Sequence, residues 1–198
     1  MSLRVIAGKA RGKKLKAVPG DSTRPVTDRV KEALFSIIGS DIRSASFLDL
    51  FAGTGGVGIE ALSRDADFAL FVELDRRALR VIHENLAHTG LADRAAVYRR
   101  DAFRLLSRPP ERHFDFIYIA PPQYKGMWDR SLRALERNGA WRRADTRVIA
   151  QIDPKEFDAA LRFEYLELED QRRYGSTMLL FYRFVDGATR NDAGSQGE

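Results

Sequence analysis

The stretch that decides the fold reads Phe-Leu-Asp-Leu-Phe-Ala-Gly-Thr-Gly-Gly-Val-Gly-Ile-Glu-Ala-Leu and covers residues 47–62. An apolar run gives way to a glycine cluster, and apolar residues then resume at helical spacing from Val57. This order predicts a strand, a tight turn and a helix, the unit that builds a nucleoside pocket at the carboxyl end of a strand. Glycines in the turn let the backbone approach a ligand where a Cβ would collide.

An acidic residue beside this turn indicates which ligand it would take. Gly53, Gly55 and Gly58 satisfy G-x-G-x-x-G, which is a weak signal taken alone. A dinucleotide site holds a pyrophosphate at the helix N-terminus, and a nearby carboxylate would repel that group. Asp49 stands near the end of the predicted strand, four residues before Gly53. A cationic ligand is therefore favoured, and S-adenosylmethionine carries both an ammonium and a sulfonium.

Two further acids follow the next two predicted strands. Glu73 closes the second strand about 20 residues after the glycine turn, where an acid can bind a ribose diol. Asp101 and Ala102 follow the third, where the edge of an adenine would be met. The order Asp49, glycine turn, Glu73, Asp101 predicts an S-adenosylmethionine site. The alternative is an ordinary strand-to-helix turn with acids on the surface.

The length and composition indicate a single domain with a sizeable hydrophobic core. The chain has 198 residues, of which 44% are hydrophobic and 31% charged, and its mean hydropathy is −0.36. No apolar run has the length of a membrane span and no leader opens the chain, so we expect a cytoplasmic protein without membrane contact. We also expect a monomer. Cysteine is absent, which excludes disulfides, cysteine–zinc sites and pyrimidine C5 methylation through a cysteine adduct. Any methyl transfer must be direct. The three histidines are too scattered to predict a metal site.

Positive charge is concentrated at the start of the chain. The formal net charge is +5, and residues 1–20 contain six lysines and arginines with no acid before Asp21. Such a basic segment is typical of a protein that binds a phosphate backbone. The alternative is a solvated basic terminus that aids solubility.

The first 40 residues predict a small β-hairpin and a helix. Residues 3–17 alternate weakly around a basic tip, which predicts a hairpin docked on the main domain. We expect the hairpin to occupy residues 1–22. Thr27 is a candidate N-cap for an amphipathic helix that ends at Gly39.

From residue 47 onward, predicted strands and helices alternate. Strands are expected at 47–51, 68–73, 95–99, 115–119, 146–152, 162–168 and 177–184, and helices at 56–64, 75–88, 101–107 and 127–138, with a short helix begun by Asp153-Pro154. The alternation predicts an α/β, Rossmann-like domain over residues 23–185, with a mostly parallel sheet covered on both faces. Residues 186–198 lack an apolar pattern and are expected to be a disordered tail.

The fourth predicted strand leads into a loop that suggests the chemistry. It continues as Ala120-Pro121-Pro122-Gln123-Tyr124, and the two prolines predict a stiff exit beside the proposed pocket. Enzymes that methylate an exocyclic base amine need hydrogen-bond acceptors there, because these bonds localise the nitrogen lone pair towards the methyl group. Tyr124 or Trp128 could stack on an extruded base, although core packing explains Trp128 equally well.

Four motifs in this chain resemble those of a known family. They lie at residues 4–15, 23–35, 48–55 and 71–78, and they resemble the RsmD-type bacterial methyltransferases that modify the N2 amine of a guanine in 16S rRNA. The resemblance covers residues 3 to about 185. It implies a class I methyltransferase with a seven-stranded sheet, S-adenosylmethionine as methyl donor and an N-terminal hairpin that contacts the rRNA or the small ribosomal subunit.

The resemblance also assigns roles to positions. Asp49 and the glycine turn would line the methionine end of the cofactor, Glu73 the ribose and Asp101 the adenine. The full set of candidate cofactor residues is Arg24, Thr27, Asp49, Phe51, Ala52, Gly53, Thr54, Gly55, Glu73, Leu74, Asp101 and Ala102. The candidate RNA-binding residues are Arg4, Lys9, Arg11, Lys13, Lys14 and Arg29, and the candidate catalytic residues are Ala120, Pro121, Pro122, Gln123 and Tyr124.

The catalytic loop departs from the family pattern. The family has Asp or Asn, two prolines and an aromatic residue, whereas this chain has Ala120 and Gln123 at the outer positions. The Gln123 amide oxygen or backbone carbonyls would have to replace the lost acceptor. Two alternatives therefore stay open: a catalytically weakened RNA-binding or ribosome-assembly protein on the same fold, and an amine methyltransferase acting on other RNA or on DNA. A dinucleotide oxidoreductase is more distant.

Overall fold

The computed structural model describes residues 3–20 and 26–187. Within them the chain forms the helices α1 (Asp28–Ile38), α2 (Gly56–Ser63), α3 (Arg76–Thr89), α4 (Ala102–Leu106) and α5 (Met127–Arg137). The strands are β1 (Ser46–Asp49), β2 (Phe68–Glu73), β3 (Ala95–Arg99), β4 (Phe116–Ile119), β5 (Arg147–Ile152), β6 (Leu166–Tyr174) and β7 (Thr177–Phe184). Single 3₁₀ turns lie at Gly39–Ile42, Ala92–Arg94, Gly139–Trp141 and Pro154–Glu156.

The seven strands form one sheet in the order β3-β2-β1-β4-β5-β7-β6. Strands β1 to β5 are parallel, and β7 is antiparallel to both of its neighbours. The direction in which the chain adds strands reverses between β1 and β4. From β1 the chain adds β2 and β3 on one side of the sheet, and it then returns to add β4 and β5 on the other side. Open parallel sheets bind ligands at such a switch point, beyond the carboxyl ends of the strands. The predicted mostly parallel seven-stranded sheet is confirmed.

Both faces of the sheet are covered, because alternate residues of each strand enter different hydrophobic clusters. Phe47, Phe71 and Tyr118 pack with helices α1, α2 and α3. Leu48 and Ile117, which occupy the opposite face, pack with α4 and α5. This two-sided burial explains why the central strands read as continuous apolar runs in the sequence.

Helix α1 begins and ends at the predicted residues. The Thr27 hydroxyl accepts a hydrogen bond from the Val30 N–H at 3.4 Å, and Asp28 occupies the first turn. Gly39 follows the helix with φ 63°, a conformation that favours glycine.

The N-terminal segment, residues 3–20, packs into the same core as α1 and α2. Its backbone folds back on itself, but the antiparallel pairing is a single bridge between Arg4 and Lys14 rather than two strands. The N–H groups of Ile6 and Ala7 donate to the Glu60 carboxylate at 2.8 and 3.0 Å. A Cβ on Gly8 would lie 1.7 Å from the Ser63 carbonyl oxygen, which shows how closely the segment approaches α2. Four of its side chains are buried: Val5, Ala10, Leu15 and Val18.

A buried lysine and glutamate stabilise this attachment. Lys31 and Glu60 are both 0% exposed, and Lys31 Nζ lies 3.7 Å from Glu60 Oε2. The same ammonium donates to the carbonyl of Arg4. Burial lowers the pKa of Lys31, and the charge of Glu60 opposes that shift. The pair therefore connects α1, α2 and the N-terminal segment inside the core.

One strand prediction is wrong. The sixth strand was expected at 162–168, whereas β6 is Leu166–Tyr174. It is an edge strand whose side chains are mostly exposed, so its sequence carries charged residues instead of an apolar run. It pairs with β7 through a tight turn at Gly175, where φ is 62°.

Some expectations fall outside the described residues. Arg24 lies in the undescribed range 21–25, and all but the first two residues of the expected tail lie in the range 188–198. The division into a segment 1–22 and a domain 23–185 stays a prediction. None of the helices in the described part of the chain is both long and apolar enough to cross a membrane.

Candidate active site

Asp49 is the last residue of β1, and its carboxylate is buried at the switch point. The residue is 1% exposed. Its Oδ2 accepts a hydrogen bond from the Gly58 N–H at 3.1 Å, whereas Oδ1 is buried without a hydrogen-bond partner among the described residues. A buried carboxylate oxygen with no partner carries a large desolvation cost, which a bound cation or hydrogen-bond donor would offset.

The surroundings of Asp49 disfavour its charge in the free protein. Burial, which is the largest cause, raises its pKa from 3.8 to about 7, and the nearby negative charge of Glu73 adds to the shift. The hydrogen bond from Gly58 acts in the opposite direction. A perturbed carboxyl in a crevice at the end of a strand is a candidate for a functional group.

The glycine turn lies between β1 and α2, and its glycines have different functions. Gly53 and Gly55 have φ values of 55° and 76°, in the left-handed region that favours glycine. Gly58, in contrast, faces the core: a Cβ there would lie 2.3 Å from the Phe71 ring. It permits close packing of α2 on β2, so the expected approach of backbone to ligand applies to Gly53 and Gly55. Thr54, between them, is buried, and its carbonyl accepts from the Asn85 amide at 3.0 Å.

Glu73 is the last residue of β2 and connects the two neighbouring loops. Its Oε2 accepts from the Gly53 N–H at 2.8 Å. Its Oε1 accepts from the N–H groups of Leu74 and Asp75, at 2.7 and 3.0 Å. The carboxylate is therefore held in a fixed orientation at the end of the strand adjacent to β1. A carboxylate has about four lone-pair sites, so it can accept a further hydrogen bond from a ligand hydroxyl.

Asp101 is the N-cap of α4, just beyond the end of β3. Its Oδ1 accepts from the Arg104 N–H at 3.0 Å. Ala102 is buried beside it. On the loops of the neighbouring strands, Leu74 is 57% exposed, which is unusual for a large apolar side chain in this protein. Phe51 is partly buried and makes an edge contact with Phe103 in α4, at 6.3 Å between ring centroids.

The remaining candidate cofactor residues also have defined places. Ala52 is buried, and its N–H donates to the Val72 carbonyl at 3.0 Å, which pairs the start of the turn with β2. Thr27 serves as the N-cap of α1, and its proposed place beside the pocket stays a prediction. The ends of β1, β2 and β3, which are adjacent in the sheet, thus present Asp49, Glu73 and Asp101 at one edge.

The loop after β4 lies on the other side of the switch point. Tyr118 pairs in register with Asp49, so Ala120 follows two residues beyond the level of that carboxylate. Pro121 is buried, Pro122 is exposed, and Ala120 and Gln123 are partly buried. Trp128 is 4% exposed within the core that contains α5, so core packing is the correct interpretation for this residue.

Tyr124 is held at two points by residues that follow β5. Its N–H donates to Glu156 Oε1 and its hydroxyl donates to Asp153 Oδ2, both at 2.8 Å. The residue is 63% exposed and has φ 60°. Asp153 and Glu156 were not predicted as partners of this loop. The adjacency of β4 and β5 in the sheet was the one signal that could have suggested it.

The basic residues of the N-terminal segment are partly engaged in contacts. Arg4 pairs with Asp28 at 2.9 Å, and Lys9 with Asp65 at 2.7 Å. Lys13 Nζ donates to two carbonyls at the end of α3, at 3.1 Å each. Lys16 pairs with Glu84 at 2.8 Å. Arg11 and Lys14 in this segment and Arg29 in α1 are exposed, and no carboxylate within residues 3–20 and 26–187 forms an ion pair with them. Exposed ion pairs contribute little stability, so they can exchange for a phosphate.

One histidine belongs to a cluster that sequence spacing did not suggest. His113 Nε2 lies 3.6 Å from Asp115 Oδ1 and 3.5 Å from Asp145 Oδ2. These residues precede β4 and β5 and therefore lie at the edge of the sheet opposite Asp49. Asp145 also pairs with Arg143 at 3.3 Å.

Comparison with known proteins identifies the relatives of this chain. It is 38% identical to the "Putative rRNA methyltransferase YlbH" of Bacillus subtilis (strain 168) over 183 residues, which is 91% of this chain and 98% of that protein. It is also 38% identical to the "Ribosomal RNA small subunit methyltransferase D" of Escherichia coli (strain K12), over 69% of this chain and 68% of that protein. A solved structure, "Putative methyltransferase yhhF from Escherichia coli", has a TM-score of 0.80 at 30% identity and matches 93% of this chain and 98% of that one.

A family model spans nearly all of the described sequence. The model described as "Conserved hypothetical protein 95" matches residues 3–183. Its extent agrees with the range over which the four sequence motifs show a resemblance. The chain therefore belongs to the conserved hypothetical protein 95 family, the family of the RsmD-type methyltransferases.

Proposed function

We propose that this protein is an S-adenosylmethionine-dependent methyltransferase of small-subunit ribosomal RNA, and that it modifies the exocyclic N2 amine of a guanine. The observation that carries the proposal is the buried Asp49 carboxylate at the end of β1, one oxygen of which has no hydrogen-bond partner in the part of the chain that the structure describes. Family membership supports the same reaction class, since two relatives at 38% identity are named as rRNA methyltransferases.

The residues at the switch point fit the methyl donor. Asp49 would bind the cationic methionine end, because its unpartnered oxygen favours a positively charged donor group. Glu73 would accept hydrogen bonds from the ribose, and Asp101 and Ala102 would meet the adenine. Leu74 offers an exposed apolar surface on the same side. When bound, the donor supplies an electrophilic methyl group that a nitrogen can attack directly.

The substrate amine would enter beside the loop after β4. Its lone pair is delocalised into the base, so acceptors for its N–H groups are needed to make it nucleophilic. Ala120 has no side-chain acceptor. The proposed acceptors are the backbone carbonyl before Pro122 and the Gln123 amide oxygen. Losing one preorganised hydrogen-bonding group costs about 10²-fold in rate, which leaves a slower enzyme that still functions.

The RNA would be held by the basic N-terminal segment. Arg11 and Lys14 of this segment, and Arg29 at the start of α1, are exposed and free of ion pairs within the described ranges, so they are the first candidates for phosphate contacts. Arg4, Lys9 and Lys13 would join after exchanging their present partners. Because phosphate contacts carry no sequence information, this surface does not choose between nucleic acids.

Radiolabelled S-adenosylmethionine tests the proposal directly. The protein is incubated with small ribosomal subunits that lack the modification, with free 16S rRNA and with duplex DNA at matched salt. We expect label in the ribosomal RNA, and digestion of that RNA should release N2-methylguanosine. Asp49→Asn, which preserves the shape of the site, is the matched control and should transfer much less label when the donor is below saturation, because it binds the donor more weakly. A folded protein that binds the donor and labels no RNA would contradict the proposal.

Ala120 also favours a second candidate, an RNA-binding or ribosome-assembly protein that has lost catalysis. Ala120→Asp distinguishes the two possibilities, because it restores a carboxylate acceptor in the loop. Under the main proposal the substitution raises the rate of methyl transfer, by up to about 10²-fold. If both the parent protein and the variant bind RNA but transfer no methyl group, the binding-only candidate is correct.

A further inference from the structure

Tyr124 combines two features that are uncommon for an aromatic residue. It has φ 60°, in the left-handed region where a bulky side chain is strained. It is also 63% exposed, so most of its surface is not used for packing. A strained residue persists only where the surroundings determine its conformation, and such residues cluster at functional sites.

The surroundings that determine it are two carboxylates from the neighbouring strand. Asp153 Oδ2 accepts the Tyr124 hydroxyl, and Glu156 Oε1 accepts the Tyr124 N–H, both at 2.8 Å. Both bonds have a charged acceptor and are therefore of the stronger kind. The backbone and the hydroxyl of Tyr124 are thus each held by a hydrogen bond. Together the two bonds fix the orientation of the aromatic ring that lies between them.

The two carboxylates are themselves held in place. Asp153 is 8% exposed, and its Oδ1 accepts from the Lys155 N–H at 2.9 Å. Glu156 Oε2 accepts from the Asp153 N–H at 3.4 Å, which completes a capping box around the turn Pro154–Glu156. This turn directly follows β5, the strand adjacent to β4. The two loops therefore start from neighbouring strands and are joined by these hydrogen bonds.

We propose that Asp153 and Glu156 are positioning residues that hold the Tyr124 ring at the mouth of the site, where the substrate base stacks on it. This inference rests on the proposed function. Stacking needs an exposed ring face in a fixed orientation, and the two carboxylates provide the orientation while leaving the ring exposed. Because the ring is already ordered before the substrate binds, binding does not have to offset the loss of conformational entropy that fixing the ring would require.

Methyl transfer to rRNA under single-turnover conditions, with saturating donor, tests this inference. Tyr124→Leu removes the ring and should slow transfer by about 5- to 150-fold, the range of base–aromatic stacking. Tyr124→Phe keeps the ring but removes the bond to Asp153, and we expect about a tenfold loss. Tyr98→Phe is the matched control, because the Tyr98 hydroxyl donates to Glu111 at 2.9 Å away from the loop. Donor affinity, measured by calorimetry, should be equal in all variants.

A double-mutant cycle separates positioning from a general structural role. If Tyr124 and Asp153 act through their mutual bond, then Tyr124→Phe, Asp153→Ala and the double variant should all lose about tenfold. Asp153→Asn retains an acceptor and should recover most of the rate. Losses that multiply to about 100-fold in the double variant would overturn the inference. So would an equal loss in Tyr98→Phe.

A second measurement keeps failure of this inference distinct from failure of the proposed function. Hydrogen exchange over residues 120–126 should accelerate in Asp153→Ala and not in Tyr98→Phe. Unchanged exchange in Asp153→Ala would show that the carboxylates do not hold the loop, whatever the activity. A wild-type protein that binds the donor but methylates no RNA contradicts the proposed function. In that case the proposed stacking of the substrate base on Tyr124 is also rejected, even if hydrogen exchange shows that Asp153 holds the loop.

Discussion

Replacing Asp49 by asparagine should make the free protein more stable at alkaline pH. The native carboxyl has a pKa of about 7 in place of 3.8, so between these values the native state holds a proton that the unfolded state has released. Stability therefore falls as the pH rises through this window and stays low above pH 7. Each pKa unit corresponds to about 1.4 kcal/mol, so the cost of the carboxylate is about 4 kcal/mol at pH 8 and about 1.5 kcal/mol at pH 5.

The asparagine variant has the same shape but does not titrate. Its unfolding free energy, relative to that of the wild type, should therefore increase by about 3 kcal/mol between pH 5 and pH 8. The cost of the unpaired amide atom is the same at both values and cancels. Urea unfolding without ligand at the two pH values measures this difference. Asp67→Asn, at an exposed site before β2, is the control and should show no such change. A difference between Asp49→Asn and wild type that does not depend on pH would refute the reasoning.

Three further results are expected. Protons compete with the cationic donor for Asp49, so the affinity for S-adenosylhomocysteine, which keeps the ammonium, should fall up to about tenfold per unit below pH 7 in calorimetry; a flat profile from pH 5 to pH 8 would contradict this. Gly58→Ala places a Cβ 2.3 Å from the Phe71 ring and should cost about 1–3 kcal/mol of unfolding free energy. Adding Phe71→Leu should recover part of it, and no recovery would argue against the clash. Glu60→Gln removes the nearer and fully buried carboxylate beside Lys31 and leaves only Asp28, at 3.9 Å, to compensate that charge. It should cost about 3 kcal/mol in urea unfolding, whereas a loss below about 1 kcal/mol would count against the buried pair.

The cofactor half of the candidate site was predictable because its determinants are local in sequence. The glycine turn, the acid before it and the acids closing the next two strands each follow a strand end. Parallel strands bring all such ends to one edge of the sheet. The sequence alone therefore predicts that Asp49, Glu73 and Asp101 lie together, although their roles stay proposals.

The features that sequence did not predict depend on contacts between distant segments. The partners of Tyr124 lie on the loop of the next strand in the sheet, and the burial of Lys31 depends on Glu60 and on the N-terminal segment. The edge strand β6 carries no apolar run, so its bounds were misplaced. The ion pairs of Arg4 and Lys9 likewise depend on tertiary structure. The composition alone does not show that these two charges are paired.

The most direct test of the central claim is calorimetric titration of S-adenosylmethionine into the wild-type protein and into Asp49→Asn at pH 8. The account predicts a single binding event in the wild type. It predicts that the variant, although more stable, binds at least about 30-fold more weakly, because removing one partner of a buried charge pair costs 2 kcal/mol or more. No heat in the wild type, or equal affinity in the two proteins, would contradict the account.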